Sequence, residues 1–174
     1  NGRLIFTNIY RPEENYLGFS RKIRLFNDNS FFTVGIDRSR SYLGNISVIL
    51  LKYDANGDTL WTKLIGDTLC SDESFDICAV NDTLSLILTM KNCNTKTDEY
   101  KIKVYLIDQF GNILDTNLFY KGKTMFSSSV IKTSDNKFLI AGSTYSPYRG
   151  DIYLTKLNLN LQPDTFNPGK YTYD

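Results

Sequence analysis

The chain has 174 residues, 41% of them apolar, a net charge of +1 and no histidine. That length and composition suit one folded domain and exclude wholesale disorder. The near-zero charge supplies no global field for nucleic acid or an acidic membrane surface, and the missing histidine removes the commonest general base and the usual nucleophile and transition-metal partners.

Twelve tyrosines and eleven phenylalanines favour strands, because aromatic side chains pack well on a pleated surface. Asn1 to Tyr10 reads as the second half of a hairpin, since Asn1-Gly2 opens a strand as Asn56-Gly57 does. Asn-Gly is favoured in two-residue hairpin turns, where both residues tolerate positive φ. No strand precedes Asn1-Gly2, so the expectation is a chain that starts within a repeat. Arg11 to Leu17 is a polar link. Strands are then expected over Phe19–Leu25, Phe31–Ile36, Ile46–Tyr53 and Thr59–Ile65. A second pass gives Phe75–Val80, Leu84–Met90, Tyr100–Ile107 and Ile113–Tyr120. A third gives Ser127–Lys132, Phe138–Gly142 and Asp151–Leu157, after which Pro163 and Pro168 leave Thr165 onward irregular. No segment carries a capped helical period, so almost no helix is predicted.

Gly2, Gly57 and Gly111, like Asp54, Asp108 and Asn158, recur at roughly 50–55 residues, the period of four-stranded propeller blades. The predicted fold is all-β: a β-propeller-like array of four-stranded antiparallel blades. Residues 1–10 form the outer strand of a preceding blade, and 19–66, 75–120 and 127–166 form three blades. Closed propellers use about four to eight blades. The chain is therefore expected to be part of a larger propeller; the alternative is a small ring closed by the N-terminal strand.

The best-preserved copy is Leu51-Lys52-Tyr53-Asp54-Ala55-Asn56-Gly57-Asp58-Thr59-Leu60-Trp61, an apolar strand followed by Lys-x-Asp-x-x-Gly-x-x-x-Trp. A second motif is the polar turn Ser134-Asp135-Asn136-Lys137 before an apolar strand ending in Gly142. With these motifs the chain resembles the secreted β-propeller repeat proteins of Bacteroidetes-type bacteria, many of which carry a type IX secretion sorting domain. It departs from the pattern at Asp115, which stands where Trp would; at Leu161, which replaces the turn glycine; and at Leu88-Thr89, which stand where other units have Gly35 and Gly142. The resemblance implies export to the cell surface or medium and no general catalytic activity.

Asp54, Asn56 and Asp58 alternate as in a calcium loop, but the spacing of Gly57 and the apolar Ile65 fit a structural turn instead. Trp61 is expected to lock neighbouring sheets together. Arg21-Lys22-Arg24 and the carboxylate pairs Glu13/Glu14, Asp72/Glu73 and Asp98/Glu99 are assigned to solvated faces and loops. Cys70, Cys78 and Cys93 allow one disulfide and a free thiol, or three buried thiols; a Cys70–Cys93 link would join two loops and leave Cys78 in a strand. The candidate binding residues are Arg38, Arg40 and Tyr42 in one loop and Tyr145, Tyr148 and Arg149 in the equivalent loop of the third unit, because Tyr and Arg are favoured in recognition.

The sequence thus predicts a non-catalytic, exported module that binds or scaffolds a protein or glycan. No cofactor, metal, nucleic acid or membrane insertion is expected. The alternative is a fragment of a propeller glycoside hydrolase or polysaccharide lyase, whose site would gather carboxylates, Tyr and Arg from several blades.

Overall fold

The computed structural model describes residues 18–38, 46–66, 70–93, 100–119, 124–145 and 150–163. These form eleven strands and no helix. The first sheet is β1 (Gly18–Leu25), β2 (Phe31–Asp37), β3 (Ser47–Tyr53) and β4 (Thr59–Ile65), in that order. The second is β5 (Ser71–Ala79), β6 (Leu84–Asn92), β7 (Tyr100–Asp108) and β8 (Ile113–Phe119). The third is β9 (Thr124–Lys132), β10 (Phe138–Tyr145) and β11 (Asp151–Leu157). All pairings are antiparallel between consecutive strands. The expected strand from Asn1 to Tyr10 and the segment from Thr165 onward lie outside the described residues. Past β11, the isolated bridge Leu157–Pro163 continues the pairing among them.

The middle sheet explains the unbroken apolar run of β6. Leu86 and Leu88 face the third sheet, where they meet Met125, Val130, Phe138 and Ile140. Ile87, between them in sequence, faces the first sheet, where Phe32, Val34, Val48 and Leu50 lie. Alternate residues of one strand therefore fill two separate cores, and polar alternation disappears. Each fully buried Leu or Ile contributes about 1.5–3 kcal/mol of transfer free energy, so the central strands dominate cohesion. The edge strand β8 is exposed along most of its length.

Five hairpin turns share one geometry. The amide of the first residue donates to the carbonyl four positions on, and the amide three positions on donates back. These turns start at Phe26, Asp54, Asp108, Thr133 and Asn158. Their fourth residues, Asn29, Gly57, Gly111, Asn136 and Leu161, all have positive φ. This is a type I turn followed by one left-handed residue, the three-residue hairpin loop. It corrects the two-residue turn expected at Asn56-Gly57, since Gly57 carries positive φ (88°) and Asn56 does not. The Asp54 Oδ1 accepts the amides of Asn56 and Asp58, each at 2.9 Å. Asp108 does the same for Phe110 and Asn112, and Asn158 for Asn160 and Gln162.

Outer turns dock onto the preceding sheet. Trp61 on β4 packs edge-on to Phe32, with centroids 5.2 Å apart, and its ring covers Gly111, where a Cβ would lie 2.6 Å from Cη2. Lys63 donates to Asn112 Oδ1 at 3.0 Å. One sheet further on, Asn117 on β8 donates to the Leu161 carbonyl at 2.8 Å.

Two sequence assignments are overturned. Asp72 and Glu73 are not in a solvated loop: β5 begins at Ser71, and Asp72 is fully buried, with its amide donating to the Ile46 carbonyl and Tyr105 Oη donating to its Oδ2 at 3.4 Å. Arg24 is not on a solvated face either. It is buried between the first two sheets, where it donates to Ser85 Oγ and the Asn81 carbonyl and lies 4.0 Å from the Phe26 ring centroid. In both cases a polar residue sits at an inward position of the strand alternation and is tied down by hydrogen bonds, as buried polar groups require. Glu13/Glu14 and Asp98/Glu99 lie outside the described residues.

Cys70 and Cys93 form a disulfide that ties the start of β5 to the end of β6. Cys78 is a free thiol in β5.

Candidate functional site

The first strand of each sheet is an edge strand, and β5 runs against both β1 and β9. Where the three meet, a groove of about 560 Å³ is lined by Phe19, Arg21, Lys22, Phe75, Ser127 and Ser128. Each first strand has the same irregularity. The register skips between Ser20 and Lys22 in β1, between Ser74 and Asp76 in β5, and between Ser127 and Ser129 in β9. The extra residues of these bulges are Arg21, Phe75 and Ser128, and all three line the groove. A bulge re-aims a side chain that the regular pleat would send elsewhere.

The backbone around the bulges is tightly fitted. A Cβ on Gly35 would collide with the Phe19 carbonyl, and one on Gly142 with the Phe126 carbonyl and with Tyr153. Gly142 therefore permits two things at once: the bulge of β9 folds back over β10, and the Tyr153 ring crosses the bare backbone. Ser127 and Tyr153 are the register partners of Gly142 on its two sides. Thr89 occupies the corresponding place in the second sheet, with its Oγ1 donating to the Lys103 carbonyl at 3.0 Å.

Charges at the groove come in opposed pairs of unequal commitment. Arg21 lies 4.8 Å from the Phe75 ring centroid and reaches Glu73 Oε2 at 3.4 Å. Lys22 is half exposed and stands 3.9 Å from Asp76 Oδ1. Asp76 is held by other donors: Ser129 Oγ at 2.6 Å, the Val130 amide at 2.9 Å and the Ile77 amide at 2.9 Å. It thereby fastens β5 to β9. Ser74 Oγ fastens β5 to the first sheet by donating to the Gly35 carbonyl at 2.8 Å. Ser127 Oγ and Tyr153 Oη are buried and have no hydrogen-bond partner. Burial pushes the Tyr153 phenol up, so it stays neutral. Burial, reinforced by Asp76, pushes the Cys78 thiol to about 12, which keeps it protonated and unreactive at neutral pH.

Of the residues proposed from sequence, Arg38 is exposed and lies 5.9 Å from the Phe19 ring centroid, beside the groove. Tyr145 ends β10, paired with Thr124. Arg40, Tyr42, Tyr148 and Arg149 lie outside the described residues. Sequence reasoning missed Phe19, Arg21, Lys22, Phe75, Ser127 and Ser128. The available signal was the recurrence of Ser20, Ser74 and Ser127 at nearly equal spacing, each opening a bulge.

No family model matches the chain, and no curated protein matches it. Among solved structures it is similar to a conserved protein of Clostridium novyi NT inferred to be a lipoprotein, with a TM-score of 0.51 and 12% identity over 82% of this chain and 95% of that one. At that identity the likeness concerns the fold alone.

Proposed function

We propose that the chain is a non-catalytic, exported β-propeller-type module that binds a saccharide in the groove between β1, β5 and β9. The observation that carries this reading is the lining itself: aromatic rings and hydrogen-bond donors, with no carboxylate among the described lining residues. Apolar ring faces suit the C–H faces of a sugar, and convergent donors suit its oxygens.

Three stacked sheets whose first strands share one space support the propeller arrangement. The outward face of the third sheet exposes Ile131, Leu154 and Ile152, the last at 86%, as a sheet that packs against a further blade would. The Cys70–Cys93 disulfide favours an oxidising compartment, in keeping with export to the cell surface, and the lipoprotein assignment of the structural neighbour points the same way. The resemblance to secreted Bacteroidetes-type repeat proteins stands as part of this proposal.

A hydrolase or lyase gains no support from the groove. Glu73 is ion-paired, Asp76 accepts three hydrogen bonds and Asp72 is fully buried. Glycoside hydrolysis typically uses two carboxylates flanking the scissile bond. A glycan array read alongside a reducing-sugar release assay tests the proposal. Retention of glycans without release is expected; release of reducing ends would replace it with the enzymatic reading.

A further inference from the structure

Resting on the saccharide reading, we infer that the sugar seated against Ser127 carries a carboxylate, so that the groove selects uronic-acid sugars over their neutral counterparts. Among the described residues the lining holds two cations, Arg21 and Lys22, with the carboxylates of Glu73 and Asp76 3.4 and 3.9 Å from them. Each cation is ion-paired yet keeps donors beyond its protein partner. Arg21 touches Glu73 through one nitrogen at a long 3.4 Å, leaving most of its N–H donors free. Lys22 sits beyond hydrogen-bond distance of Asp76, whose oxygens already accept from Ser129, Val130 and Ile77.

Arg21 is also placed in advance. It is the extra residue of the β1 bulge, and its guanidinium is steadied over the Phe75 ring, itself the extra residue of the β5 bulge. A guanidinium so held presents parallel donors to a planar carboxylate, a match that a neutral hydroxymethyl group cannot make.

Ser127 supplies the second, independent sign of a ligand. It is only 2% exposed, it lines the groove, and its Oγ has no partner. Buried hydroxyls are almost always paired, so an orphan hydroxyl on a residue that lines the groove marks a place for a polar group that arrives from outside. Tyr153 Oη, the other buried hydroxyl without a partner, borders the same Gly142. Arg21 and Lys22 thus bring charged donors to a site whose hydroxyls can also donate, a set that suits an oxygen-rich anion. The groove's volume lies in the small-ligand range, which favours one or two sugar rings over an acidic peptide.

The test is calorimetry with oligomers of galacturonate, glucuronate and mannuronate, each paired with its carboxyl-reduced neutral form, and with an oligoglutamate peptide. At least one oligouronate is expected to bind about tenfold or more tighter than its reduced partner, with affinity falling as salt rises. Arg21→Gln should erase that ratio while Arg21→Lys keeps part of it. Ser127→Ala should weaken oligouronate binding and yet raise the Tm of the free protein, because it deletes an unsatisfied buried hydroxyl. A purely structural serine would not move the two readouts in opposite directions. Equal binding of acid and reduced sugars would overturn the carboxylate and leave the saccharide reading standing. Binding of the peptide alone, or of nothing in the panel together with no neutral glycan on the array, would overturn both.

Discussion

The two seams between sheets solve one packing problem in opposite ways. At the first seam the large side chain comes from the preceding sheet: Trp61 on β4 lies over Gly111 in the outer turn of the second sheet. At the second seam the preceding sheet offers Asp115, an exposed residue at the same register position, and the turn itself carries the bulk as Leu161, which is fully buried. The backbone shows which choice is costly. Gly111 takes its left-handed φ of 73° freely, whereas Leu161 adopts 58° against the preference of any residue with a Cβ. The second seam accepts that strain in exchange for a filled core. Asp115 and Leu161 look like two unrelated departures in the sequence; in the structure they hold, at the second seam, the positions that Trp61 and Gly111 hold at the first.

Breaking the first seam should have the largest effect. Gly111→Leu would force a side chain into the Trp61 ring and a branched residue into a left-handed turn, and should cost about 3 kcal/mol or more in urea unfolding. Leu161→Gly should cost less, about 2 kcal/mol, because relief of the strained φ offsets part of the lost burial. The double variant Asp115→Trp with Leu161→Gly imports the first seam's solution. It should recover about 1 kcal/mol relative to Leu161→Gly alone; additivity of the two changes would show that the residues do not exchange volume.

Smaller still is the part of the turn that both seams share. Asn158→Ala removes the acceptor for the amides of Asn160 and Gln162 and should cost about 1 kcal/mol by the same assay. The smallest effect is a pH dependence away from either seam. Asp135, in the turn between β9 and β10, is held from its ordinary 3.8 down to about 2 by hydrogen bonds from Lys156 and Thr133. A carboxyl with a depressed folded-state pKa adds stability above its unfolded pKa and loses it as pH falls. Wild type should therefore weaken between about pH 4 and pH 2 more than Asp135→Asn does, and an NMR titration should place the Asp135 midpoint near the lower end.

The all-β class and antiparallel hairpins were legible because strands and turns leave local signatures. Apolar runs such as Leu84–Met90 and turn clusters such as Asp54 to Gly57 announce themselves within a few residues. The start of β5 was not legible, because Ser71 to Ser74 is wholly polar and becomes strand only through long-range contacts such as Asp72 with Ile46 and Ser74 with Gly35. The groove was hidden for a related reason. A bulge shifts the two-residue alternation by one, so Arg21 and Phe75 stand where periodicity assigns other faces. Of the loop residues favoured from sequence, Arg38 is found beside Phe19, close to the groove but outside its lining.

Trp61 has one more consequence, for how the molecule can be watched. It is the only tryptophan in the chain, and it sits at the seam between the first two sheets. Its emission is therefore a local optical probe of that seam, while circular dichroism registers strands of every sheet. If the sheets separate one at a time, fluorescence and dichroism will trace different unfolding curves, and the order in which they fall will identify the seam that opens first.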